Sequence, residues 1–331
     1  MKLRTAPRLG SPVSEIGIGC WQLGSAGWDA VSEDVAREIL NISIHGGVNF
    51  IDTADVYGAG LSESRIGAFL KTLPKSVADS LFIASKLGRL KGFPDSYSYD
   101  LFRQCTLDSV ARVGRPLDLH QLHCVPHHVL QKGDVFDWLR KLKSEGLIKH
   151  FGASVESMDE AKTCLQHADC DSLQIIFNIF RQKPIDELFA EAQEKGVALI
   201  VRLPLASGVL AGKYTKDTKF SPADHRNFNA NGEQFNVGET FAGIPFDKAV
   251  ELTDAIKPLL NIPPGATMAD AAMRWILDHP AVTTVIPGAS KPSQAQSNLR
   301  ATDLPSLSPA VRQSLRDFYA KNIKSHIRGP Y

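Results

Sequence analysis

No apolar run in this chain approaches the roughly twenty residues that a membrane-spanning helix needs. Met1-Lys2-Leu3-Arg4 is not followed by an apolar stretch of the secretory kind, so no leader peptide is expected. Neither sign of charge is in excess: 37 Lys and Arg face 36 Asp and Glu, for a formal charge of +1. That balance removes the electrostatic argument for a nucleic-acid or membrane-surface partner. The five cysteines are odd in number and contain no CxxC pair, which points to reduced thiols and a cytoplasmic protein. The third glycine of a GxGxxG turn is missing from Gly17-Ile18-Gly19-Cys20-Trp21-Gln22, which argues against an open, doubly wound dinucleotide-binding sheet.

What is present is alternation. Pro7 and Gly10-Ser11-Pro12 predict a short hairpin over residues 7–19 that leads into a first core strand, Ile16–Gly19. Further strands are expected at Val48–Ile51, Leu81–Lys86, Asp118–His123, His150–Ser154, Leu173–Phe177, Val197–Val201 and Val282–Ile286. Helical patterns separate them. One is Ser32 with Glu33-Asp34 ahead of an apolar stripe; others are 62–70, 99–113, 135–146, 158–167 and 186–195. An irregular stretch, residues 204–245, follows the seventh strand. Helices over 246–260 and 267–279, one from about Pro292 and one over 308–322 complete the chain. Eight strand–helix units predict a single (β/α)8 barrel over residues 1–331, with an N-terminal β-hairpin, a long loop after strand 7 and extra C-terminal helices.

The polar residues at the strand ends are Asp52, Lys86, His123, Ser154, Gln174 and Arg202, with Tyr57 just beyond Asp52. In a barrel these ends share one mouth. A buried Lys86 needs a partner, and Asp52 is the natural one. A nearby ammonium favours phenolate, so Lys86 is expected to lower the Tyr57 pKa and make it a general acid, with His123 orienting a carbonyl oxygen. A zinc reading of His120, His123, Cys124, His127 and His128 lacks a second ligand cluster at a recognised spacing, and no metal is expected. Trp21 and the phenylalanines of 220–246 are either packing or substrate wall. Glu63 and Arg65 read as an ordinary solvated face.

The segments Gly19–Gly24, Asn49–Gly58, Ser85-Lys86, Asp118–His123, Phe151–Ser154, Pro204–Tyr214 and Ile286–Asn298 resemble the aldo-keto reductase family, in order and over nearly the whole chain. The resemblance implies a (β/α)8 barrel that reduces an aldehyde or ketone, or oxidises a sugar or alcohol, with a nicotinamide cofactor and no metal. It implies catalytic roles for Asp52, Tyr57, Lys86 and His123, with Trp21, Tyr57 and His123 meeting a small-molecule substrate. It implies cofactor contacts at Gly19, Cys20, Trp21, Asp52, Ser154, Gln174, Arg202, Leu203, Pro204, Leu205, Ser207, Gly208, Leu210 and Lys213. Ile286, Gly288, Ala289, Ser290, Lys291, Gln294 and Asn298 complete that set. Val155 stands where many members carry Asn, and Arg202 where many carry an aromatic ring; its guanidinium can stack instead. Members that prefer NADP(H) often carry Arg or Lys where Ser290 stands; the adjacent Lys291 can serve the 2′-phosphate instead, so the resemblance implies NADP(H), with NAD(H) as the alternative. Some relatives of this kind, the potassium-channel β subunits, are cofactor-sensing binding proteins, which is the alternative function. Oligomer formation is left open.

Overall fold

The computed structural model describes residues 1–25, 27–89 and 95–331. Ten strands occur among them. β1 (Leu3–Arg4) and β2 (Val13–Ser14) pair antiparallel as a small hairpin. The other eight are β3 (Ile18–Gly19), β4 (Phe50–Asp52), β5 (Phe82–Leu87), β6 (Leu117–His123), β7 (Ile148–Ser154), β8 (Ser172–Ile176), β9 (Ala198–Arg202) and β10 (Val282–Val285). They form one parallel sheet in chain order. The bridges Ile16–Val285 and Gly19–Gly288 bring its two edges together, so the sheet closes as a barrel with helices between the strands. The hairpin begins at Leu3, not at residue 7. Its strands are two residues each and carry no alternation that a sequence could display.

Period-two alternation sorts each strand into an inner and an outer row. Phe50, Phe82, Ala84, Leu119, Ala198 and Ile200 form an apolar cluster inside the barrel, and Ala6, Leu9 and Val13 of the hairpin plug its base. Further along the same inward rows come Asp52, Lys86, Gln121, His123 and Arg202, toward the mouth. Each inner row thus runs from apolar base to polar rim, which is how an ammonium and a carboxylate come to sit deep in a folded interior.

The helices hold the outer face. Glu33–His45 is capped by Ser32, whose side chain accepts from the Val35 N–H. Tyr99–Val113 is capped by Ser98 and stops at Gly114 with φ of 86°. Residues 186–195 are not one helix: Leu188 leaves helical geometry and divides Pro184–Glu187 from Phe189–Glu194. The short helix Lys75–Ser80 has no buried face and gave no periodic signal.

Glu63 and Arg65 do not lie on a solvated face. Glu63 is fully buried, bonded to Ser85 Oγ at 2.5 Å and to Arg112 Nε at 2.6 Å. Arg65 bonds the carbonyls of Leu23 and Val31 and pairs with Glu33. Both tie the helix Leu61–Leu70 to neighbouring elements, and a polar run on a short helix does not distinguish this from exposure.

Candidate active site

Asp52 ends β4 and Lys86 lies near the end of β5, both essentially unexposed. Lys86 Nζ lies 2.5 Å from Asp52 Oδ1, 2.8 Å from the Thr53 carbonyl and 3.3 Å from the Tyr57 hydroxyl. On the other side of the carboxylate, Gln174 Nε2 donates to Asp52 Oδ2 at 2.7 Å and Gln121 Nε2 at 3.4 Å. Burial works against charge on Lys86, but Asp52 and Tyr57 outweigh it and hold the ammonium above its ordinary pKa.

Tyr57 is carried by a tight crossing of two backbones. A Cβ added at Gly24 would lie 2.5 Å from the Tyr57 carbonyl carbon, and one at Gly58 would lie 2.1 Å from the Gly24 oxygen. Gly58 also has φ of 64°. The Tyr57 ring stacks on Trp21 at 6.1 Å and meets His123 edge-on at 5.9 Å. The expected lowering of the phenol is overturned: burial raises the Tyr57 pKa by more than Lys86 lowers it. His123 is pushed well below its usual value, by burial first and then by Arg89, Lys86 and Arg202, so its imidazole is neutral. Its Nδ1 is buried and, among the described residues, has no partner.

These groups open onto one cavity of about 340 Å³. Asp52, Tyr57, His123 and Gln174 line it, with the segments Gly19–Trp21, Arg202–Leu205 and Ser207–Gly208. Ile286, Gly288–Ser290 and Gln294 complete the far wall. The loop after β9 is bent tightly there: Leu203, Ala206 and Ser207 all have positive φ, between 47° and 56°. Gln294 Oε1 accepts from the N–H groups of Ser290 and Lys291, and Asn298 bonds the Gly288 carbonyl. Ser154, Leu210, Lys213, Lys291 and Asn298 are off the lining; Ser154 Oγ faces Cys124 Sγ at 3.9 Å.

Charged or aromatic residues on the lining that escape sequence reasoning include Trp28, Arg89, Arg226 and Glu239. Arg202 makes an ion pair with Glu239 at 3.3 Å, and Arg89 makes another. Burial raises the Glu239 carboxyl, but the two guanidiniums outweigh it and leave it below its ordinary value. Glu239 closes a three-residue 3-10 turn, Val237–Glu239, inside an otherwise irregular loop, where no period marks it. The aromatic residues of that loop divide: Phe235 reaches the cavity beside Trp21, whereas Phe220, Phe241 and Phe246 pack against one another.

The candidate zinc histidines diverge. His120 points outward to Thr106, and His127 bonds Thr163. Among the described residues, only Cys124, Glu156 and Glu239 bring three ligating atoms together. Arg202 and Arg89 already contact that group, and like charge opposes a cation there. Also among the described residues, no helix is long and apolar enough to cross a membrane.

The family model described as the aldo/keto reductase family matches residues 15–320. The NADH-specific methylglyoxal reductase of Escherichia coli (strain K12) is 27% identical over 325 residues, covering 92% of this chain and 94% of that one. The aldo-keto reductase YhdN of Bacillus subtilis (strain 168) is 25% identical over 297 residues, covering 87% and 85%. The holo form of an aldo-keto reductase from Bacillus halodurans superimposes with a TM-score of 0.75 at 25% identity, covering 96% of each chain.

Proposed function

From the premise that this chain belongs to the aldo/keto reductase family, we propose that it reduces an aldehyde or ketone with a nicotinamide cofactor, NADP(H) by preference, and that Tyr57 is the proton donor. The observation that carries this reading is Lys86 Nζ standing within reach of both Asp52 and the Tyr57 hydroxyl, in a cavity that His123 also lines.

The residues present suit the cofactor. Three left-handed residues after β9 bend the backbone of 203–207 around the cavity, and close packing at Gly19 and Gly288 leaves no room for side chains there. Gly19–Trp21, Arg202–Gly208 and Gly288–Ser290 with Gln294 would hold it. When bound, it supplies the hydride for the carbonyl carbon.

The chain's own residues manage the proton. Tyr57 keeps its proton because burial disfavours phenolate. Charge that develops on a carbonyl oxygen draws that proton over, and Lys86, 3.3 Å away, stabilises the phenolate that results. Asp52 keeps the ammonium charged and in place, and Gln174 and Gln121 hold Asp52. Neutral His123 lines the cavity beside Tyr57, where its ring is placed to orient the oxygen. Arg202 presents a flat guanidinium on the lining, suited to stacking on a ring. Lys291, adjacent to Ser290, is the cation available to a 2′-phosphate.

The test mixes the protein with benzaldehyde and NADPH, with NADH run in parallel, and follows the nicotinamide absorbance. Tyr57→Phe should lower kcat by roughly 10²–10⁴, the range of a general acid, with cofactor affinity little changed. Undiminished turnover in that variant would remove Tyr57 from the role. Cofactor binding with no turnover in the parent protein would replace the enzyme reading with a cofactor-sensing one.

A further inference from the structure

Two guanidiniums face one end of the cavity and share one carboxylate. Nη1 and Nη2 of Arg89 both lie 3.3 Å from Glu239 Oε1, and Nη1 of Arg202 lies 3.3 Å from the same atom. Three donors crowd a single oxygen at the long limit of a hydrogen bond. Arg202 Nε is buried and, among the described residues, has no partner. Leaving such a donor unpaired is costly, and more so when it is charged.

The surrounding charges do not close the balance. Asp52 is matched by Lys86, and Arg226 by Asp224. Glu239 therefore answers one of the two remaining cations. Glu156 sits nearby, but burial and then Glu239 push it up to about 7, so it is only partly ionised near neutrality. Arg181, also close, bonds the Pro330 carbonyl and stacks on Tyr331 at 4.4 Å, with no carboxylate partner among the described residues. The excess is positive.

That excess belongs to the end where a substrate would lie. Arg89 and Arg202 both depress the His123 imidazole. Arg89 lies over Phe235, Phe235 touches Trp21, and Trp21 stacks on Tyr57. Arg226, against Trp28 and Tyr214, is held by its own partner Asp224 and adds nothing to that excess. Stacking by Arg202 would use the face of its guanidinium; at its edge Nη1 meets Glu239 and Nη2 meets the Val155 carbonyl and Cys124 Sγ, which leaves Nε for another partner.

We propose, building on the reductase reading, that the carbonyl substrate carries a carboxylate, which Arg89 and the edge of Arg202 receive as Glu239 yields part of its hold. A planar carboxylate matches the fork of a guanidinium, and an uncharged carbonyl compound leaves Arg202 Nε unpaired, which is how a polar pocket discriminates.

The probe pair is 4-carboxybenzaldehyde against benzaldehyde. The carboxylated aldehyde should be favoured in kcat/KM by roughly ten- to a hundredfold, the worth of charge-assisted hydrogen bonds, mostly through KM. Arg89→Met should pull the ratio toward one. Glu239→Gln, which removes the competing anion, should raise it. A parent ratio at or below one, or a ratio that Arg89→Met leaves unchanged, overturns the proposal. Calorimetry with oxidised cofactor measures the affinity of both aldehydes without turnover. Reduction of both aldehydes without preference sinks the carboxylate site and leaves the reductase standing. Tighter binding of the carboxylated aldehyde with no reduction of either does the reverse.

Discussion

Replacing Lys86 with Met removes an ammonium that is wholly buried and makes three polar contacts, the shortest to Asp52 at 2.5 Å. Methionine keeps the unbranched length of the side chain, so packing changes little. The loss is electrostatic. Asp52, 2% exposed, retains only the two glutamine donors at 2.7 and 3.4 Å. Removing one member of a buried ion pair costs about 3–5 kcal/mol, a large share of a total stability of about 5–15 kcal/mol. The deficit should depend on pH. Burial holds the Asp52 carboxyl above its unfolded value of about 3.9 even beside the ammonium, and without the ammonium it rises further, so the folded variant binds the extra proton over a wider pH range. Stability from such a group is present at low pH and lost as pH rises through the folded value, so the variant suffers most near and above neutrality. Adding Asp52→Asn should recover most of the loss, since the amide oxygen still accepts from Gln174 and no lone charge remains. Urea midpoints followed by tryptophan fluorescence, at pH 7.5 and pH 5, measure all three proteins. Lys86→Met within about 1 kcal/mol of the parent, or a double variant that costs the sum of the two singles, would refute the claim that the charges stabilise each other.

Two further outcomes follow from the same geometry. Gly24→Ala drives a methyl group into the Tyr57 backbone, where no flexible side chain can yield; it should cost about 1–3 kcal/mol and lower kcat, and a variant with parental kcat would show that the crossing does not place Tyr57. Burial drops the His120 imidazole to about 3, so the unfolded chain binds the extra proton below pH 6.5 and the parent loses stability as pH falls. The stability difference between parent and His120→Gln should therefore change with a limiting slope of about 1.4 kcal/mol per pH unit, about 1.6 kcal/mol in all between pH 6.5 and 5, and a flat difference curve would refute it.

Most of the barrel was readable because its strands are buried runs separated by capped helices. Ser32 marks a helix start by local chemistry, and it does so in the structure. The convergence of Asp52, Tyr57, Lys86 and His123 was readable because each lies at or near a strand's carboxyl end, and closure gathers those ends. What was not readable is what depends on chain segments meeting without a period. Glu239 closes a single 3-10 turn inside the long loop, and Arg89 lies past Gly88, beyond the inward row that carries Lys86. The raised Tyr57 pKa is another such case: proximity to a cation can be read from strand ends, whereas depth of burial is a property of the whole fold.

Barrel closure has one thin place. β3 is two residues long, and its edge meets that of β10 through little more than the bonds from Gly17 to Val285, Val285 to Glu15 and Gly19 to Pro287. β6 and β7, by contrast, pair over six positions. Gly19 on one bank of this seam and Gly288 on the other both border the cavity. Any occupant that touches both banks acts as a hasp across them, so occupancy and cohesion of the scaffold rise and fall together, by about 2.7 kcal/mol when the ligand stands at a hundred times its dissociation constant. The seam through which the wall would first part is the one an occupant fastens.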